Sequence, residues 1–137
     1  MVRKTLLIFL LTLHITPIVN AEEKTIEIFD IEKDQITKTV PLHIDIQDEA
    51  KKIVEGIDDV FRKFKPIPAS GFMVKIPLAP AIKVENKWLN HLIDEVIIIM
   101  PKDEEAYLLI FDEENRPYFF TIKTSINLFL TNLNLTK

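Results

Sequence analysis

Apolar and polar residues alternate in two short runs near the start of the chain, TIEIF (25–29) and QITKTV (35–40), with the turn-forming DIEKD between them. A period of two marks strands with one buried face, so these residues predict a β-hairpin closed by Pro41. The period then changes. Ile46, Ala50, Ile53, Ile57, Val60, Phe61 and Phe64 recur at steps of three and four, with Lys, Arg, Asp and Glu filling the gaps. That spacing predicts one long amphipathic helix over residues 45–65, N-capped by Asp45 or Asp48 and stopped by Pro66. Gly56 inside it costs about 1 kcal/mol relative to Ala, which points to a close neighbour there.

KPIPASG (65–71) predicts a loop. FMVKI (72–76) and AIKVEN (81–86) alternate on either side of PLAP. Prolines cannot donate to a ladder, so these two short strands are expected to be edges or irregular. NKWLNHLI (86–93) is expected to form a short helix with Trp88 and Leu92 on one side. VIIIM (96–100), YLLIF (107–111) and YFFTI (118–122) predict three strands separated by the acidic turns KDEE and DEEN. The first two are apolar on both faces and are expected at the centre of a sheet. Ile126, Phe129, Leu130 and Leu133 predict a terminal helix capped by Thr124 or Ser125. The sum is a single α+β domain: a mostly antiparallel sheet with the long helix packed on it.

Residues 1–21 read differently. Arg3 and Lys4 precede the apolar TLLIFLLTLHI (5–15), then Pro17 and Val19-Asn20-Ala21. This is the layout of a cleavable secretory signal cut after Ala21. The apolar run is too short for the roughly 20 residues of a spanning helix, and a retained anchor is the weaker expectation. Residues 22–137 then form the domain. Arg3 and Lys4 leave with the leader, so the formal charge of −4 becomes −6. That balance disfavours nucleic acid and anionic membrane surfaces as partners. The chain has no Cys, so the core must hold without disulfides. An exported domain without disulfides suits a Gram-positive exterior.

Candidate chemistry is sparse. Two His follow the leader, His43 and His91, and His91 with Asp94 and Glu95 is the one arrangement with a metal-ligand spacing. It supports an alternative expectation of a small metal-dependent envelope enzyme. Ser70 and Ser125 lack the setting of a nucleophile, and Gly56 and Gly71 lie too far apart for a phosphate loop. Asp103, Glu104, Glu105, Asp112, Glu113 and Glu114 invite a carboxylate pair or a calcium loop. DEENRP has neither the alternating ligands nor the turn glycine of such a loop, and turn formation explains the residues better. Asn134-Leu135-Thr136 matches a glycosylation sequon and is read as chance. No cofactor is called for. Pro77 and Pro80 with Trp88 and Tyr107 are the candidate binding residues, because exposed aromatics beside prolines suit a partner surface. Trp88 filling the core is the competing expectation.

The segments KFKPIPASGFMVKIPL, KVENKWLNHLIDEVIII and AYLLIFDEENRPYFFTI together resemble a family of small exported proteins from spore-forming Gram-positive bacteria. The resemblance implies export and carries no activity or site residue. The leading expectation is a non-enzymatic domain, secreted or at the cell envelope, that binds a protein or a wall component. An acidic inhibitor or immunity-type protein blocking a basic partner is the remaining alternative.

Overall fold

The computed structural model describes residues 23–63 and 65–135. The expected leader with its cut after Ala21, Phe64 of the expected helix stripe and Thr136 of the sequon lie outside the described residues.

The hairpin forms as expected, with β1 over Thr25–Asp30 and β2 over Gln35–Pro41. Next comes α1, Ile44–Glu55, half the expected length. Its N-cap is His43, with no side-chain cap hydrogen bond, rather than Asp45 or Asp48. Ile46, Ala50, Ile53 and Val54 form its buried stripe. It stops at Gly56, where a Cβ would stand 2.1 Å from Thr124 Oγ1. The chain then continues as a strand, β3 (Ile57–Val60). Ile57 faces Ile122 and Val60 faces Phe120, with a bulge between Ile57 and Asp59. A bulge inserts one residue, so residues three apart share a face. The helical spacing beyond Gly56 is the spacing of this bulged strand. Phe61 then falls on the opposite face and stacks on Tyr107 with ring centroids 3.8 Å apart.

The two short strands expected around PLAP are one, β4 (Gly71–Glu85), with an irregularity between Pro77 and Ile82. Its first part is central rather than an edge, since it pairs with β1 and with β5 (Asn90–Pro101). The expected helix over 86–93 is instead a turn and the start of β5. Asn86 Oδ1 accepts from the N–H groups of Trp88 and Leu89, at 2.9 and 2.8 Å, and so closes the turn. The meander follows with β6 (Tyr107–Phe111) and β7 (Pro117–Ile122), and the chain ends with α2 (Asn127–Asn132). Ile126 is the N-cap of α2, and Ser125 Oγ accepts from Asn127 N at 3.3 Å.

The strands make one antiparallel sheet of order β2-β1-β4-β5-β6-β7-β3. The described residues are therefore mostly β, with two short helices among them. Helix α1 carries the chain from one edge to the other, across the face where Ile28, Val74, Ile98, Leu108 and Phe120 are buried. Residues 61–63 and 65–70 return over the second face, where Ile99, Tyr107 and Leu109 are buried. There the Tyr107 hydroxyl donates to the carbonyl of Pro66. Beyond the irregularity, β4 and β5 pair only with each other among the described strands. This arm bends over the helix-bearing face. Val84, Leu89 and Ile93 join the core, and Trp88 reaches Phe120 at 6.0 Å.

Asp112 fastens the β6–β7 turn. Its Oδ1 accepts from the N–H groups of Glu114 and Arg116, both at 2.9 Å, and its Oδ2 from Arg116 Nε at 2.7 Å and the Tyr118 hydroxyl at 3.3 Å. Burial by itself would raise its carboxyl above the ordinary 3.8, but the two backbone hydrogen bonds and the Arg116 side chain outweigh it and hold the group at about 2. A carboxyl lowered on folding stabilises fully above its ordinary value, and loses that effect as pH falls through the folded value. Acid titration of the wild type is expected to lower the melting temperature between about 3.8 and about 2. Asp112→Asn is expected to melt lower at neutral pH and to show a flatter pH profile in that window. An unchanged profile would remove Asp112 from this role.

Candidate functional site

All seven described strands have an end at the same end of the sheet, and five of those ends lie nearest α2 and its flanking turns. They are Asp30 of β1, Gly71 of β4, Pro101 of β5, Tyr107 of β6 and Ile122 of β7. Loops at strand ends are where a rigid scaffold presents function. Here α2 lies beside them and makes a groove. One half, of about 840 Å³, runs between the 102–106 turn and residues 122–127. The other, of about 510 Å³, is a recess walled by Phe72, Met100, Leu130 and Leu135. Both halves share Lys102, Leu130 and Leu135.

The walls follow from local chemistry. Gly71 adopts φ 116, which no L side chain takes readily, and this lets β4 start hard against β5. Its carbonyl accepts from Ile31 N at 3.0 Å, which ties the β1–β2 turn to the groove. Asn134 ends α2 in the left-handed region at φ 54, and Leu135 N donates back to Leu130 O at 2.8 Å. That reversal sets Leu135 beside Leu130. Lys38 Nζ donates to Leu133 O at 2.8 Å and Asn132 Nδ2 to Glu49 Oε1 at 2.7 Å, so β2 and α1 hold the helix in place. The second oxygen of Glu49 is buried without a hydrogen-bond partner.

Charge lies on the rim. Lys63 Nζ meets Glu104 Oε2 at 2.5 Å, and Lys33 Nζ meets Asp30 Oδ2 at 3.8 Å. Burial raises the Tyr107 hydroxyl above its ordinary value, and the Glu104 carboxylate adds to the shift. Thr124, Ser125 and Thr131 add hydroxyls to the larger half.

The expected site residues lie elsewhere. Pro77, Pro80 and Trp88 belong to the β4–β5 arm, and none of them lines the groove. Trp88 is half-buried against Phe120, with the Lys87 ammonium 4.5 Å from its ring centroid. The PLAP irregularity is pinned to α1, because Ala79 N donates to Gln47 Oε1 at 3.1 Å. Tyr107, a candidate binding residue if exposed, is 2% exposed and packs on the second face. His91, Asp94 and Glu95 do not gather. His91 pairs with Val84 on the core side of the arm, while Glu95 meets Lys75 at 3.7 Å on the other face. No group of three or more His, Asp or Glu among the described residues is placed to hold a metal ion.

The groove residues missed from sequence are Phe72, Met100, Leu130 and Leu135. Each reads as an ordinary core position in its own segment, and only their convergence makes a recess. Asp103, Glu104 and Glu105 were legible as a wet turn. No protein-family model matches the chain, and no curated protein or solved structure matches it.

Proposed function

We propose that this chain is an exported, non-catalytic binding domain, secreted or at the cell envelope, and that it holds a protein or wall component in the strand-end groove. The observation that supports this best is the shape and chemistry of the groove. A largely apolar recess of about 510 Å³ adjoins a charged channel of about 840 Å³, and the two share Lys102, Leu130 and Leu135 as walls. A concave apolar site with a few convergent polar groups is the usual form of a binding site. Neither His43 nor His91 lines the groove. Export rests on the leader-like residues 1–21.

A photoreactive side chain placed at Thr131, on the groove wall, is expected to cross-link an envelope or extracellular component in the native host. The same group at Leu92, 59% exposed on the arm, is expected to cross-link nothing in common with it. Capture from Leu92 alone would move the binding surface to the arm.

A further inference from the structure

We propose that the groove takes a basic, extended segment of a partner protein, with one aliphatic or aromatic side chain seated in the recess between Phe72, Met100, Leu130 and Leu135. The partner's chemistry is inferred here on the premise that the groove is the binding site.

The recess identifies the anchor. Phe72 lies opposite Met100 in the sheet, yet the residue is left 39% exposed and lines the recess. A large aromatic side chain half open in a concave wall gains by covering with apolar surface. Leu130 and Leu135 close the other side. The volume of about 510 Å³ exceeds what one side chain fills, so the backbone on either side of the anchor enters as well.

Charge identifies what flanks the anchor. Asp30 and Glu32 line the recess end, and Asp103, Glu104 and Glu105 line the channel end. Lys33 and Lys63 neutralise Asp30 and Glu104. Glu32, Asp103 and Glu105 stay exposed and outside every ion pair of the described residues. Of these free carboxylates Glu32 lines the recess and Asp103 and Glu105 line the adjoining channel, so a segment that runs along both brings basic side chains flanking the anchor to opposite charge. Lys102, between the two halves, and Lys123 are the opposing cations. An ammonium there can donate to the backbone carbonyls that an extended segment presents. Complementary charge of this kind acts most on specificity and on the rate of encounter.

The test uses three fluorescein-labelled peptides. The first has a central leucine flanked by lysines. The second has the same leucine flanked by glutamates. The third replaces the leucine of the first with serine. Anisotropy at low ionic strength is expected to show the first binding at least about tenfold tighter than the other two, and weakening with salt. Glu32→Lys combined with Asp103→Lys, both at exposed positions, is expected to reverse the preference between the first two peptides. Phe72→Ser is expected to abolish the advantage of leucine over serine while leaving the Trp88 emission native.

Equal binding of the lysine and glutamate peptides overturns the proposal. So does an unaltered preference in the charge-reversed variant, and so does failure of all three peptides to bind. Cross-linking from Thr131 to a partner without a basic segment overturns it too, but leaves the groove as the binding site. No cross-link from Thr131 removes both.

Discussion

Gly71→Ala is expected to lose more than about 3 kcal/mol of folding stability, read from urea unfolding. The residue sits at φ 116, where an L side chain is strained by on the order of 1–3 kcal/mol. The added Cβ would also stand 2.1 Å from Met100 O and 3.0 Å from Pro101 Cα. Both atoms are backbone of β5, so relief requires moving a central strand. For a domain stabilised by roughly 5–15 kcal/mol, that is a large share. The variant is also expected to lose groove binding before it unfolds, because Gly71 lines the recess. Gly56→Ala is the control. Its Cβ meets Thr124 Oγ1 at 2.1 Å and Thr124 Cβ at 3.0 Å, so the exposed Thr124 must turn its hydroxyl and shift with its loop rather than move a central strand. A loss near or below about 1 kcal/mol is expected there, because alanine favours the helix end while the clash opposes it. Equal losses at the two glycines would contradict the assignment of Gly71 to a backbone constraint.

Phe120→Ala is expected to cost about 3–5 kcal/mol, the range for a buried Phe that leaves a cavity. Phe120 is fully buried at the point where the arm crosses the sheet. It lies 6.0 Å from Trp88 and 6.2 Å from Tyr118, ring to ring. The chain has one Trp, so intrinsic fluorescence reports this contact directly. Phe120→Ala is expected to red-shift the native emission as the Trp88 ring becomes wetter. Phe120→Leu keeps most of the volume and is expected to cost less than about 1.5 kcal/mol with a smaller shift. If Phe120→Ala left the emission unchanged, the arm would not be folded over Phe120.

Much of the fold was legible because local pattern and tertiary environment agreed. The strand at 25–30 shows as alternation because Ile26 and Ile28 pack on the core, and in its partner Val40 does the same, while a register shift leaves Ile36 exposed on the other face. The strands at 96–100 and 107–111 show as apolar runs because α1 and the arm cover one face while Phe61 packs on the other. The six carboxylates of KDEE and DEEN were legible as turn formers. The fully buried carboxylate of Asp112 was not, because nothing local separates it from Glu113 and Glu114.

The errors have a common cause. Residues 57, 60 and 61 carry helical spacing, but a bulge gives a strand the same spacing, and the open edge of β7 supplied partners that a helix could not use. Leu89 and Ile93 are four apart, which suits one face of a helix and one face of a strand equally. Asn86 decided between them by capping a turn.

The sequence by itself determined the strand-rich character, the first hairpin, the meander, the start of the long apolar stripe and the acidity of the turns, since each depends on neighbours within a few residues. Only the tertiary structure decided where α1 stops, that the first part of β4 is central, which way Tyr107 points, and that Asp30, Phe72, Met100, Lys102 and Leu135 line one recess. Those outcomes depend on contacts between segments tens of residues apart, and hydrophobic burial, being non-directional, leaves no trace of its partner in the local pattern.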